Sequence, residues 1–173
     1  MVLGEIIREI FDEEEKRIST VYEGIMEAVA SGRHVSTEMS SYLFSHRIIP
    51  KDNPGLIQSY LKILTDIGIL NKIEIMGRKK FVYRHVSPLF DCYYYLKTKY
   101  GFGELEVPRG FVETVVNEKL PHHIEDFISS FLAERFGLKR VLLFDPELDI
   151  ALVRFKKLAV VESCEKSGWT QNP

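Results

Sequence analysis

Apolar residues in the middle of the chain recur with the period of a helix. Between residues 57 and 64 they are spaced by three and four, which predicts an amphipathic helix. Asn53 is a favourable N-cap for this helix, and Pro54 suits its first position, where an N–H is not needed. Gly68 is typical of the end of such a helix.

A β-hairpin is predicted directly after this helix. Ile73 and Ile75 alternate with polar residues, as in a strand with one buried face. Gly77 and Arg78 indicate a turn, and residues 81–83 form a second short β-type run. The hairpin therefore has a basic tip.

Two more amphipathic segments precede the helix and hairpin, at residues 18–32 and 36–45. Three helices followed by a basic-tipped hairpin are typical of a winged helix-turn-helix, which we predict for residues 18–87. The turn before the third helix is longer than the 3–4 residues of a compact helix-turn-helix.

Together with the remaining segments, the predicted fold is α+β, with the winged helix-turn-helix followed by a small mixed α/β domain. Residues 1–17 predict an N-terminal amphipathic helix with a charged exit. Residues 88–173 predict a helical linker and a small mixed α/β domain with a C-terminal sheet. Its strands are expected at residues 141–143, 148–153 and 158–161.

Two helices, separated at Leu120-Pro121, are predicted within residues 88–173. The second has an apolar stripe that we expect to be its inner face, formed by Ile124, Phe127, Ile128, Phe131 and Leu132. Before them, an aromatic-rich segment follows Pro88. It is interpreted as a packed helix, with base stacking next to Lys97 and Lys99 as the alternative.

Charge and cysteine usage narrow the function classes. The net charge is −2, but residues 16–87 hold eleven bases and six acids, a balance of +5. This local excess favours a phosphate-facing surface over the alternative of a solvated mixed-charge face. Cys92 and Cys164 are far apart and form no CxxC pair. With no signal core and no apolar run near 18 residues, we expect a cytoplasmic protein without a membrane span.

The predicted third helix and hairpin tip supply the candidate binding residues. Polar side chains on the outer helix face would reach base edges in a major groove, and cations at the tip would contact phosphates or the minor groove. These residues are Gln58, Ser59, Lys62, Arg78, Lys79 and Lys80. The expected partner is double-stranded DNA.

No cofactor, metal site or catalytic residue is predicted. The chain has neither a GxxxxGK[ST] phosphate loop nor a GxGxxG turn. His122 and His123 lie near Glu125 and Asp126, but adjacent helical residues point about 100° apart. A polar helix start is therefore favoured over a metal site.

The C-terminal acids raise the alternative of a nuclease. Restriction-endonuclease-like enzymes place an Asp and an E-x-K on adjacent strands, where the carboxylates hold Mg²⁺. Asp149 and Glu162 match the two acids, with Glu125 on the preceding helix. Cys164 replaces the lysine, and Lys166 lies four residues after Glu162. We therefore predict an endonuclease-like core without cleavage activity.

The order of these parts resembles the C-terminal region of a family of archaeal P-loop ATPases. In that family an ATPase domain is followed by a winged helix and an endonuclease-like domain of poorly understood function. The resemblance rests on VYEGIMEAVASG, LIQSYLKILTDIGILNK, HVSPLFDCYYYL, HHIEDFISSFL and LDIALVRFKKLAVVE. It covers residues 20–162, and the ATPase domain and the E-x-K lysine are missing. The resemblance implies either an excised C-terminal region of an ATPase-like protein, with a regulatory or accessory role, or a stand-alone relative.

A protein-interaction module with a degenerate nuclease-like domain is the alternative function. The predicted DNA-reading helix face carries a single lysine, which is weakly basic for a DNA reader. In that case the acidic N-terminal helix and the tyrosine-rich segment would form the interface. The protein partner would be a second copy of the chain or an ATPase domain.

Overall fold

A computed structural model describes residues 16–143, 150–154 and 157–161, and it has an α+β fold. In this part of the chain the helices are α1 (Lys16–Ala30), α2 (Ser36–Ser45), α3 (Gln58–Asp66), α4 (Pro88–Tyr100) and α5 (Arg109–Phe136). A 3₁₀ turn (Pro54–Ile57) directly precedes α3. The strands are β1 (Leu70–Ile75), β2 (Phe81–His85), β3 (Lys139–Leu142), β4 (Ile150–Arg154) and β5 (Lys157–Val161).

The predicted middle helix begins with a capped 3₁₀ turn and not directly as α-helix. Asn53 is the N-cap of this turn, as predicted, and its Oδ1 accepts a hydrogen bond from the Gly55 N–H at 2.9 Å. Pro54 follows at the first position. Ile57, Leu61 and Leu64 are fully buried, so the apolar face predicted from their spacing is confirmed. Gly68 has a φ of +75°, the left-handed conformation that ends many helices.

The described strands form one mixed sheet with the order β2-β1-β3-β4-β5. β1 and β2 pair antiparallel as a hairpin, with Leu70 opposite His85. β3 lies parallel to β1, with Glu74 opposite Val141, and β4 and β5 continue antiparallel. The sheet therefore includes strands from both predicted segments, 18–87 and 88–173.

Residues 109–136 form one helix, so the prediction of two helices separated at Leu120-Pro121 is wrong. Pro121 lies inside α5. A proline there removes one backbone hydrogen bond and crowds the preceding turn, at a cost of about 3 kcal/mol. Both halves nevertheless pack on the body, because Val115 before the proline and Ser129 and Ala133 after it are buried. We infer that this packing offsets the cost and keeps the helix continuous.

The main core lies between α1, α2, α3, the hairpin and α4. Its members are apolar side chains from each of these elements, among them Ile25, Met39, Leu61, Leu70 and Tyr94. A smaller cluster joins the end of α5 to β4 through Ala133 and Leu152, with Leu132 and Leu138 packed around them. Burying these apolar surfaces is the main force holding the helices on the sheet.

Candidate functional site

The outer face of α3 carries all three residues predicted there to contact DNA. Gln58, Ser59 and Lys62 are exposed, because Leu61 and Leu64 turn the opposite face into the core. The Gln58 side-chain amide donates a hydrogen bond to the Pro54 carbonyl at 3.2 Å. The helix therefore presents these polar side chains to solvent, next to the exposed Ile63.

A groove runs between the start of α2, the start of α3 and the hairpin. Its volume is about 260 Å³, and it is lined by Val35, Ser36, Thr37, Gln58, Lys79, Lys80, Phe81 and Tyr83. Three of the six predicted DNA-contacting residues thus meet at one surface. The groove combines two ammonium groups with hydroxyl and amide groups, which are the donors that phosphate oxygens accept from.

The other three predicted residues do not line this groove. Lys62 forms an exposed ion pair with Asp66, with Nζ and Oδ2 3.0 Å apart. This pair partly neutralises the single cation on the outer face of α3. Ser59 lies beside it on the same helix, and Arg78 is exposed in the hairpin turn.

An aromatic contact braces the hairpin next to the groove. The Lys72 ammonium on β1 lies 4.0 Å from the centroid of the Phe81 ring on β2. A cation over an aromatic face is attracted by the ring quadrupole. We infer that this contact holds Phe81 at the edge of the groove while its neighbour Lys80 remains exposed.

A second polar site lies where β2, α4 and α5 meet. It is a cavity of about 180 Å³ lined by Val29, His34, Arg84, His85, Asp91, Lys119, His122, His123 and Asp126. Asp91 is its centre. One carboxylate oxygen lies 3.3 Å from both His85 Nδ1 and Lys119 Nζ, and the other lies 3.1 Å from His123 Nε2. We call these four residues the Asp91 cluster.

Local structure explains why an acid is accommodated here. Asp91 lies in the first turn of α4, where the helix dipole favours negative charge. Burial alone would raise the pKa of Asp91. The hydrogen bonds from His123 and His85 and the charge of Lys119 outweigh burial and hold this pKa well below its usual range. Asp91 is therefore ionised at neutral pH.

The imidazole of His85 is neutral because it is buried. Burial lowers the pKa of His85, and the hydrogen bond to Asp91 opposes this only in part. If Nδ1 donates to Asp91, the neutral ring leaves Nε2 as an acceptor. Nε2 has no hydrogen-bond partner among the described residues, so a proton there would be an unsatisfied buried donor. Burial and then the charge of Arg84 also lower the pKa of His34.

A neighbouring ion network ties β2, α5 and β3 together. Asp126 on α5 accepts a hydrogen bond from Arg84 on β2 at 2.7 Å, and it also pairs with Arg140 on β3. Lys119 additionally donates to the Ala30 carbonyl at the end of α1, at 2.8 Å. Each charged group in this region has an oppositely charged partner, and the arrangement joins elements distant in sequence.

The adjacent residues His122 and His123 point in different directions from α5, as helix geometry requires. His123 points inward to Asp91, whereas His122 is exposed with Nδ1 3.8 Å from a carboxylate oxygen of Glu125. Within residues 16–143, 150–154 and 157–161, no three His, Cys, Asp or Glu side chains are arranged to hold a metal ion. Sequence reasoning missed the Asp91 cluster. The feature of the sequence that could have indicated this cluster is Asp91, an acid within the aromatic-rich segment.

The aromatic-rich segment is a packed helix, as interpreted from the sequence. Tyr94 is almost fully buried in the main core, and burial raises its pKa. Lys97, one of the two lysines considered for base stacking, instead pairs with Glu27 at 2.9 Å and Glu23 at 3.4 Å on α1. This helix therefore covers the core and α1.

No family model, curated protein or solved structure matches the chain. The resemblance to the archaeal ATPase C-terminal region therefore stays a prediction. Asp149, Glu162, Cys164 and Lys166 lie outside the described residues, as do residues 1–15 of the N-terminal helix predicted at residues 1–17. Lys16 and Arg17, predicted as the end of that helix, begin α1 instead. No helix in the described ranges is long and apolar enough to cross a membrane.

Proposed function

We propose that the chain is a double-stranded DNA-binding module of the winged-helix type. In this proposal α3 enters the major groove and the β1–β2 tip lies on the neighbouring backbone. The order of three helices and an antiparallel hairpin supports it. So does the exposure of the polar face of α3, which leaves Gln58 and Ser59 accessible to base edges.

The observation that carries the proposal is the groove shared by α3 and the hairpin. Gln58 from α3 lines it together with Lys79 and Lys80 from the hairpin. A side-chain amide can bond an adenine edge through two hydrogen bonds, and lysines neutralise phosphates without reading sequence. One surface thus carries a base-reading group next to backbone-binding groups.

A salt titration of variants distinguishes DNA binding at this groove from non-specific electrostatic binding. We expect Lys79→Ala with Lys80→Ala to weaken binding across duplex sequences and to reduce the log–log salt slope by about 2, for two lost phosphate contacts. Fluorescence anisotropy with labelled duplexes, from low to physiological salt, measures both quantities. Gln58→Ala should instead weaken binding to a preferred sequence more than binding to random duplexes.

A matched control removes two cations at another place. Lys99→Ala with Arg109→Ala changes the net charge equally, but these exposed residues lie at the end of α4 and the start of α5. Equal losses for both double variants would reject the groove as the binding surface. Absence of duplex binding by the unmodified chain at low salt would favour the protein-interaction alternative.

A further inference from the structure

Helix α5 exposes a continuous apolar stripe. The stripe consists of Val116, Leu120, Ile124, Phe127, Ile128 and Phe131, which lie within an arc of about 120° on the helix. Phe127 is 69% exposed, Phe131 56% and Ile124 49%. The Phe127 and Phe131 rings stack on each other with centroids 6.4 Å apart. The prediction that Ile124, Phe127, Ile128 and Phe131 form an inner face is therefore wrong for the single chain.

The opposite side of α5 explains this outcome. Val115, Ser129 and Ala133 are buried against the rest of the chain, and Lys119 and Asp126 form the ion pairs described above. These contacts fix the rotation of the helix. The polar side is therefore held inward by charge pairing, and the apolar stripe faces outward.

The size of the stripe is that of the largest apolar patches found on monomers, which are often functional. With about 150–250 Å² for a large aromatic side chain, the exposed fractions amount to roughly 500 Å² of apolar surface. The largest apolar patch on a typical monomer is about 300–600 Å² and is often functional. Two copies meeting at the stripe would bury about 1,000 Å² before polar flanks are counted, which is about the minimum area of a biological interface.

We propose that a second copy of this chain covers the stripe, with the two α5 helices packed antiparallel. Leu120, Ile124, Phe127 and Phe131 are spaced by four, three and four residues, the spacing of a helix–helix seam. With the two-fold axis at Ile124, Leu120 of each copy faces Ile128 of the other.

Charge complementarity supports this antiparallel register. The same axis places Glu113 of one copy opposite Arg135 of the other, at both ends of the seam. Both residues are exposed in the single chain, and both lie on the stripe side of the helix. Glu113 also pairs with Arg109 one turn before it, at 2.8 Å. A parallel pair would instead place Glu113 against Glu113, which costs free energy through like-charge repulsion.

Sedimentation velocity over a concentration series tests the proposal. We expect a monomer–dimer equilibrium that Phe127→Glu shifts to monomer, raising the dissociation constant on the order of 1,000-fold. This corresponds to a loss of about 30-fold at each of two symmetric copies. Phe44→Glu is the matched control, since Phe44 is 48% exposed on α2, away from the stripe. It should leave the dissociation constant unchanged.

Charge reversal tests the register without placing a charge in the seam. Glu113→Arg or Arg135→Glu alone should weaken the dimer by about 10-fold, and the two together should restore it to within about 3-fold. Circular dichroism of each variant checks that the fold is retained. Dimer affinity can be restored in the double variant only if the two positions face each other across the interface. A change in the fold caused by either substitution alone would not be reversed by the other.

Oxidative cross-linking places the axis. Ile124→Cys should form a disulfide-linked dimer, while Phe44→Cys and the unmodified chain, which carries Cys92 and Cys164, should not do so at the same rate. A monomer at all concentrations, or a dimer indifferent to Phe127→Glu, would overturn the proposal. Either result would point to residues 1–15 or a different protein as the cover. Neither readout involves DNA, so the outcome is independent of the proposed function.

Discussion

Asp91→Asn should destabilise the protein far more than its position on a helix suggests. The Asp91 side chain is 13% exposed and that of Lys119 is 16% exposed, so this ion pair is largely buried. Breaking a buried pair by removing one charge typically costs about 3–5 kcal/mol. Asparagine keeps one acceptor oxygen, and Lys119 keeps its bond to Ala30. We therefore expect a loss of about 2–3 kcal/mol.

Urea unfolding followed by circular dichroism measures this loss directly. The corresponding change in Tm is about 4–12 °C for a chain of this size. The control is Asp66→Asn, which removes the exposed partner of Lys62, whose side chain is 77% exposed. Exposed pairs of this kind contribute little, so that change should stay below about 0.5 kcal/mol. Equal effects of the two substitutions would refute the assignment of Asp91 as the centre of a buried network.

The pH dependence of the same measurement checks the cause. Since burial lowers the pKa of His85 and His34 in the folded state, the unfolded state binds more protons below about pH 6.5. Stability should therefore fall as the pH drops from 7.5 to 5. The lowered pKa of Asp91 adds a second loss below about pH 5, and Asp91→Asn should reduce this second stage. A flat profile between pH 7.5 and 5 would contradict the burial of the histidines.

Two further predictions concern the helix proline and the C-terminal acids. Pro121→Ala should stabilise the protein by about 2 kcal/mol, because it restores an N–H inside α5, whereas Pro88→Ala at the first position of α4 should not. A decrease on Pro121→Ala would show that the proline geometry is needed for packing. Without the E-x-K lysine, we expect no Mg²⁺- or Mn²⁺-dependent nicking of plasmid DNA. Nicking abolished by Asp149→Ala would overturn that expectation.

Local chemistry made the helices and the hairpin predictable. The period of apolar residues around Leu61 and Leu64, the Asn53-Pro54 start and the alternation at Ile73 and Ile75 act over a few residues. The candidate groove was predictable only in part. Gln58, Lys79 and Lys80 stood out by type and position, but their meeting at one surface depends on how the hairpin folds back beside α3.

The Asp91 cluster shows what local pattern leaves undecided. Its members come from β2, α4 and α5, so no spacing in the sequence predicts that His85, Asp91 and His123 meet. The rotation of α5 is a second case. Periodicity identified its apolar stripe correctly, yet the stripe faces outward, because Asp126 and Lys119 bind groups on other elements.

The sequence by itself determined which segments are helical or extended and which residues form each amphipathic face, since these depend on contacts within one or two turns. Tertiary structure decided which face turns inward and which strands are neighbours. The parallel pairing of β1 with β3 joins Glu74 to Val141, and α5 continues through Pro121. Such outcomes depend on the sum of burial and charge pairing over the whole chain, where long-range contacts outweigh local preference.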